Sequence, residues 1–206
     1  MRNIQLKSTN GPVLFEGQYP DFLKCLEDAI AQKAMLDTVD LRNRNLANAN
    51  LDEARMRNAD LSGCNLTGVN LSEADMQGSN FSNTALYNAC LCESDLRDCN
   101  FEDAIFGGTD MAGARISGSR FSTLSTFHLD FLGVRDMEGC VFKNPCGASS
   151  TMSKPPVVIH GLMSSPIVLF DGHVKIGNLL RPHAEWFGMV AERYLKSRDL
   201  KLAGSQ

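Results

Sequence analysis

Three groups of side chains in this 206-residue sequence have the types that chemistry requires. The four histidines are His128, His160, His173 and His183. None is spaced with a carboxylate or cysteine in a metal-ligand pattern. They read as ordinary surface or cap residues, and no metal or other cofactor is expected. The seven cysteines are Cys25, Cys64, Cys90, Cys92, Cys99, Cys140 and Cys146. An odd count, behind an N-terminus (MRNIQLKSTNGPVLFEG) without a long apolar run, argues for reduced thiols and a cytoplasmic location. Cys90-x-Cys92 is not the CxxC of redox motifs. The two flank Leu91 and should point outward, which makes them the better candidates for a reactive thiol. There is no G-x-S-x-G, no glycine-rich phosphate loop and no nucleophile–base pair, so an enzyme is not expected.

The third group is acidic. Residues 58–110 hold nine acids, Asp60, Glu73, Asp75, Glu93, Asp95, Asp98, Glu102, Asp103 and Asp110, against one base, Arg97. The segment therefore nets −8, whereas the whole chain nets −4 and the stretch from residue 143 nets +4. At −4 direct nucleic-acid binding is not expected. No run of eighteen apolar residues is present, so no membrane helix is expected either.

The element that positions these groups has a period of five. Every fifth residue from Leu36 is large and apolar: Leu41, Leu46, Leu51, Met56, Leu61, Leu66, Leu71, Met76, Phe81, Leu86, Leu91, Leu96, Phe101, Phe106, Met111, Ile116 and Phe121. If about half of residues are apolar, chance gives such a run roughly once in a few hundred thousand. Two places before each centre, from 49 to 119, stands a small residue, such as Ala49, Cys64, Val69, Ser79 or Cys99. The residue just before the centre is often Asn or Asp. Five matches neither the helical 3.6 nor the strand 2.0. Within each five, the large and the small residue share a strand-like side, and the other three turn a corner. The chain then winds as a narrow coil, and a second large residue per side would overfill its interior. Cys64 and Cys99 fall in the small inward slot, as compact hydrophobes.

The run ANLDEARMRNADLSGCNLTGVNLSEADMQGSNF resembles the pentapeptide-repeat family, whose motif is A(D/N)LXX. The resemblance covers about residues 36–121. It implies a mainly β fold, a right-handed four-sided β-helix of about twenty residues per coil. Eighteen repeats would give a rod near 20 Å long at about 4.8 Å per coil. Residues twenty apart would then stack. Glu53, Glu73 and Glu93 would form one acidic column, with Asp75 and Asp95 beside it. Phe81, Phe101 and Phe121 would stack on one wall. Bacterial or phage origin is likewise implied by the resemblance.

Solenoid ends need caps. Residues 1–35 read as a strand (12–17) followed by a helix with Phe22, Leu26, Ile30 and Ala34 on one face, opened by Pro20 and Asp21. Arg44 falls at an inward small position, so the regular coil is expected to start near residue 47. At the far end, Phe127, Leu132, Met137 and Phe142 continue the period after one inserted residue. That register would place Asp130 and Arg135 inward, so one irregular coil is expected there. The division is thus 1–35 cap, 36–142 β-helix and 143–206 appendage. The appendage reads as a Pro/Ser/Gly linker (143–165), a hairpin turning at Asp171-Gly172, and an amphipathic helix after Pro182. It could cap the coil, mediate self-association as a homodimer, or hold a partner.

Two functions fit. One is a non-catalytic scaffold that binds a protein partner through a β-helix face or the C-terminal module. The other, implied by the likeness to quinolone-resistance pentapeptide proteins, is a DNA mimic that modulates DNA gyrase, a topoisomerase or another DNA-binding protein through the acidic face of residues 53–110. In either case the candidate partner-binding residues are Glu53, Glu73, Asp75, Glu93 and Asp95.

Overall fold

The computed structural model describes residues 1–122, 126, 129, 131, 133–143, 149–152, 157–159, 167–170, 173–176 and 179–186. The chain divides into two compact units, Met1–Pro155 and Pro156–Gln206.

In the first unit residues pair in parallel with partners twenty positions on: Asp40 with Asp60, Asn45 with Asn65, Asn50 with Asn70, Arg55 with Asp75 and onward to Asp95 with Arg115. Four five-residue sides therefore complete one coil, and successive coils lie against each other. Strands β3 (Ala85–Tyr87) and β5 (Ile105–Gly107), and β4 (Asn100–Phe101) and β6 (Arg120–Ser122), continue the same parallel pairing. Each side satisfies its backbone within this stack. Leu61 N–H donates to Asn80 O and Gly63 N–H to Ser82 O, while Asp60 N–H donates back to Val39 O. The corner is a left-handed residue two places after each centre. All sixteen corners from Asn43 to Gly118 have positive φ, and thirteen of them are Gly, Asn or Asp. Those are the residues that tolerate this conformation at least cost.

The lumen is filled by side chains. Every centre from Leu36 to Phe121 is at most 2% exposed. The small slot has a polar duty as well as a steric one. Ser94 Oγ donates to Leu91 O at 2.6 Å, Thr84 Oγ1 to Phe81 O at 2.7 Å and Ser119 Oγ to Leu96 O at 2.6 Å. Cys64, Cys99 and Cys140 place their sulfurs 2.9, 3.1 and 2.9 Å from the carbonyls of Leu41, Met76 and Ile116. Hydroxyls and thiols are thus accommodated in an apolar bore because each finds a carbonyl, either three residues back or in the coil before. On one wall Phe81, Phe101, Phe121 and Phe142 stack in sequence, with centroids 4.9, 5.1 and 5.3 Å apart and rings within 14° of parallel.

The N-terminal cap is larger than the sequence suggests. β1 (Arg2–Lys7) pairs antiparallel with β2 (Val13–Tyr19), and Ser8 then bridges antiparallel to Val39 of the first coil. Helix α1 (Phe22–Ala31) starts at Asp21, whose carboxylate accepts from Lys24 N–H. Its fully buried face is Cys25, Leu26 and Ala29, while Phe22, Ile30 and Ala34 are half-buried, so the inward stripe sits one residue round from the expected one. The coil also starts earlier than residue 47. Leu36 N–H already donates to Arg55 O, and Asp40 is paired. Arg44 does not enter the lumen. It is exposed, and its guanidinium lies 4.1 Å from the Phe22 ring centroid, where a cation is attracted to the ring face.

At the other end one inserted residue shifts the pairing from twenty to twenty-one. Arg115 pairs with Asp136, and β7 (Cys140–Lys143) sets Phe142 beside Phe121 of β6. Met137 and Phe142 are buried, and Phe127, Leu132 and Asp130 lie outside the described residues. Arg135 is exposed rather than inward and reaches Glu93 at 3.1 Å. β8 (Ser149–Met152) pairs antiparallel with β7, so antiparallel chain covers the stack at this end too.

The second unit is a four-stranded antiparallel sheet, ordered β12 (Leu179–Pro182), β11 (His173–Ile176), β10 (Ile167–Phe170), β9 (Val157–Ile159). β10 and β11 pair antiparallel with Phe170 opposite His173, and the expected turn residues Asp171 and Gly172 lie outside the described residues. Strands β8 and β9 fall within the stretch 143–165 that the composition marks as linker. Residues 183–186 are helical. Phe187, Val190, Ala191, Tyr194 and Leu195, on which the amphipathic-helix expectation rests, lie outside the described residues.

Candidate partner-binding face

Glu53, Glu73 and Glu93 occupy corners twenty apart, so the coil sets them one above another on a single edge. All three are exposed, with φ of 54°, 53° and 56°. From Asn43 onward they are the three exceptions; in the first coil Thr38, with φ of 65°, is one more corner that is not Gly, Asn or Asp. A residue with a Cβ and no local hydrogen-bonding carbonyl costs roughly 1–2 kcal/mol in that conformation. The next corner in the column is Gly113, and the Glu93 carboxylate lies over it where a Cβ would clash. Asp75 and Asp95 precede their centres on the adjoining wall and pair in parallel, but Arg55 and Arg115 flank them in the same column.

Charge along this edge is therefore mixed. Asp95 takes a two-point contact from Arg97, at 2.7 and 2.6 Å, with Arg115 at 3.7 Å. Hydrogen bonding from Arg97 holds the Asp95 carboxyl below its ordinary value of 3.8, outweighing partial burial. Arg57 binds Asp75 at 2.6 Å, Lys33 meets Glu53 at 3.8 Å and Arg135 meets Glu93 at 3.1 Å. Glu73 has no ion-pair partner among the described residues. The −8 read along residues 58–110 is thus countered in space by bases from outside that segment.

Helix α1 stands beside this edge and makes it concave. A groove of about 960 Å³ runs between the helix and the coil wall, lined by both charge signs, among them Lys24, Lys33, Arg57, Glu53, Glu73 and Asp75. Glu27 crosses it to accept from Asn50 N–H at 3.2 Å, and Met35, 68% exposed, lies at its rim. The period places the acids in one column. It does not reveal the groove, because α1's position depends on the cap. The glutamate exceptions at Gly/Asn/Asp corners were the signal available in the sequence.

Cys90 and Cys92 are half-buried on the neighbouring wall, with sulfurs 3.1 Å apart. His173 and His183 belong to the second unit, and His128 and His160 lie outside the described residues. Among the described residues no three His, Cys, Asp or Glu side chains are placed to hold a metal ion. No helix among them is long and apolar enough to cross a membrane.

The family model for pentapeptide repeats matches in eight copies over residues 34–72, 59–98 and 86–122. Among solved structures, the chain is similar to the pentapeptide repeat protein alr5209 from Nostoc Pcc 7120, with 24% identity over 58% of this chain and 99% of that one and a TM-score of 0.46. It is also similar to QnrB1, a plasmid-mediated fluoroquinolone resistance protein (20% identity, 50% and 57% covered, TM-score 0.41). A third likeness is to a pentapeptide repeat protein from the cyanobacterium Cyanothece 51142 (22% identity, 52% and 87% covered, TM-score 0.36). No curated protein matches. Residues 34–122, whose five-residue sides, filled lumen and twenty-residue pairing have just been described, are pentapeptide repeats as that family's model describes them.

Proposed function

We propose that this protein is a non-catalytic scaffold whose residues 36–142 form a right-handed four-sided β-helix, and that it binds a protein partner along the edge bearing Glu53, Glu73 and Glu93 and the groove beside α1. The observation that carries this reading is backbone strain. Thirteen of sixteen corners use Gly, Asn or Asp, whereas this one edge repeatedly holds glutamate in the left-handed region. Strain retained at one surface feature points to a role for the side chains. A filled lumen leaves recognition to the outer walls, where the groove offers both charge signs to a segment of mixed charge. In this reading residues 1–35 cap the coil at one end and β8 at the other, Pro156–Gln206 is a separate module open to self-association, and the thiol-bearing core suits a reducing, cytoplasmic setting. DNA mimicry of the gyrase-directed kind requires an unbroken negative column. The pairing of Asp75, Asp95, Glu53 and Glu93 with bases weighs against it.

The test is affinity capture from the source organism with the wild type and with Glu53, Glu73 and Glu93 all changed to Asn. A protein retained by the first and lost by the folded triple variant supports the reading. An identical set of bound proteins refutes it. A bound topoisomerase that is released when Glu73, Asp75, Glu93 and Asp95 are neutralised would favour mimicry instead.

A further inference from the structure

Wherever Asn or Asp precedes the centre, most sides of the coil repeat one local contact outside the lumen. The residue before the centre accepts, through its side chain, from the backbone N–H of the residue after it: Asn65 from Thr67, Asn70 from Ser72, Asn80 from Ser82, Asp110 from Ala112. The two side chains can also meet, as Ser72 Oγ does with Asn70 Oδ1 at 2.7 Å and Arg97 with Asp95. This slot therefore favours a hydrogen-bond acceptor, and it brings its two flanking side chains together. On the side centred at Leu91 both flanking residues are cysteines.

The consequence is an unusual dithiol. Cys90 Sγ lies 3.1 Å from Cys92 Sγ and 3.1 Å from Ser72 Oγ of the coil before. Burial opposes ionisation of Cys90, but hydrogen bonding from the Ser72 hydroxyl, the Cys92 N–H and the Cys92 thiol outweighs it, and its net shift is downward despite Asp110 nearby. Cys92 is pushed up to about 12 by burial, by its hydrogen bond to Cys90 and by Asp110. One sulfur is thus favoured as thiolate and its neighbour kept as thiol, and both are partly open to solvent. Cys25, Cys64, Cys99 and Cys140 are at most 2% exposed.

We propose that Cys90 and Cys92 are a modification site, a dithiol that hydroperoxides convert to an intramolecular disulfide, with Cys90 as nucleophile and Cys92 as resolving thiol. The Cys90 thiolate attacks the terminal peroxide oxygen. An S–O bond forms, the O–O bond breaks, and the leaving alkoxide or hydroxide takes up a proton as alcohol or water. The sulfur of Cys92 then attacks the Cys90 sulfenic sulfur. The S–S bond forms, the S–O bond breaks, and the hydroxide leaves as water with the Cys92 proton. Two thiols are oxidised by two electrons and one peroxide is reduced. The sulfurs must close from 3.1 Å to about 2.05 Å, roughly 1 Å of travel.

The test treats the reduced full-length protein with one equivalent of hydrogen peroxide, followed by alkylation and peptide mapping. The expected result is that the peptide holding residues 90–92 loses two hydrogens, both thiols becoming unreactive together and ahead of the four buried ones. Cys92→Ser should stop at a dimedone-reactive sulfenic acid on Cys90, and Ser72→Ala should slow the first step a few-fold. The proposal is overturned if the sulfenic acid forms first on Cys92, if the product is a disulfide between two molecules, or if the pair reacts no faster in the folded than in the denatured chain.

Discussion

Replacing Glu73 by asparagine should stabilise the protein, although it removes a charge and introduces no new packing. Glu73 holds φ at 53°, where a residue of its type costs roughly 1–2 kcal/mol relative to glycine. Asparagine, which occupies Asn43, Asn48, Asn58, Asn83 and Asn88 at equivalent corners, should recover about half of that, near 0.5–1 kcal/mol. Glu53 and Glu93 sit one coil away on either side, at about 4.8 Å spacing, where like charges repel by roughly 1 kcal/mol before salt screening. Physiological salt should leave a few tenths of that. Since Glu73 has no ion-pair partner among the described residues, nothing offsets the gain. The net of about 1 kcal/mol corresponds to a rise of about 2–4 °C in Tm for a chain of this size. The assay is urea unfolding followed by circular dichroism, with calorimetry for Tm. Glu93→Asn is the internal comparison. It also relieves a strained corner but breaks the 3.1 Å contact to Arg135, so its gain should be smaller. A Glu73→Asn variant that is equally or less stable would refute the strain argument, and with it the main support for a recognition role. If the argument stands, the stabler variant should also be the weaker binder.

Phe101 lies between Phe81 and Phe121 in the ring stack, so Phe101→Ala should cost about 3–5 kcal/mol in denaturant unfolding. Ser79 Oγ donates to Met56 O at 2.9 Å and accepts from Ala59 N–H at 3.0 Å. Ser79→Ala should therefore cost about 1–3 kcal/mol and exceed Ser94→Ala, whose hydroxyl serves one carbonyl. The Asp95 carboxyl titrates below 3.8 when folded, so its contribution is present above that value and lost as pH falls through the lower, folded one. Stability of the wild type relative to Asp95→Asn should accordingly be flat from pH 7 to about 5 and shrink below about 4, measured by urea unfolding across pH.

Legibility in the sequence followed the strength of the repeat. The centres and small slots from Leu36 to Phe121 could be read because one steric rule recurs without interruption, and the Phe81–Phe101–Phe121 column follows once a coil holds twenty residues. Arg44 and Arg135 depart from expectation because the small slot is not inward at every side. At the first coil, and after the inserted residue, the side chain finds the Phe22 ring or the Glu93 carboxylate instead. β1 is hard to read because only Ile4 and Leu6 mark its alternation, and the strand is held by β2, with the first coil bridged just beyond it at Ser8. The acids were legible as a column but not as a mixed-charge groove. Lys24 and Lys33 enter it from the cap and Arg57 from the coil wall, and linear charge counts do not show such convergence.

Both ends of the parallel stack finish against antiparallel chain, Ser8 against Val39 and β8 against β7. This punctuation makes the array modular in whole laps of twenty. Duplicating or excising one lap would lengthen or shorten the glutamate edge while leaving each terminus its original docking surface. A change of five residues would instead rotate one terminus by a quarter turn against the other. Evolution, or an engineer, can therefore tune the reach of this edge in discrete steps, with the register of the two termini deciding which edits survive.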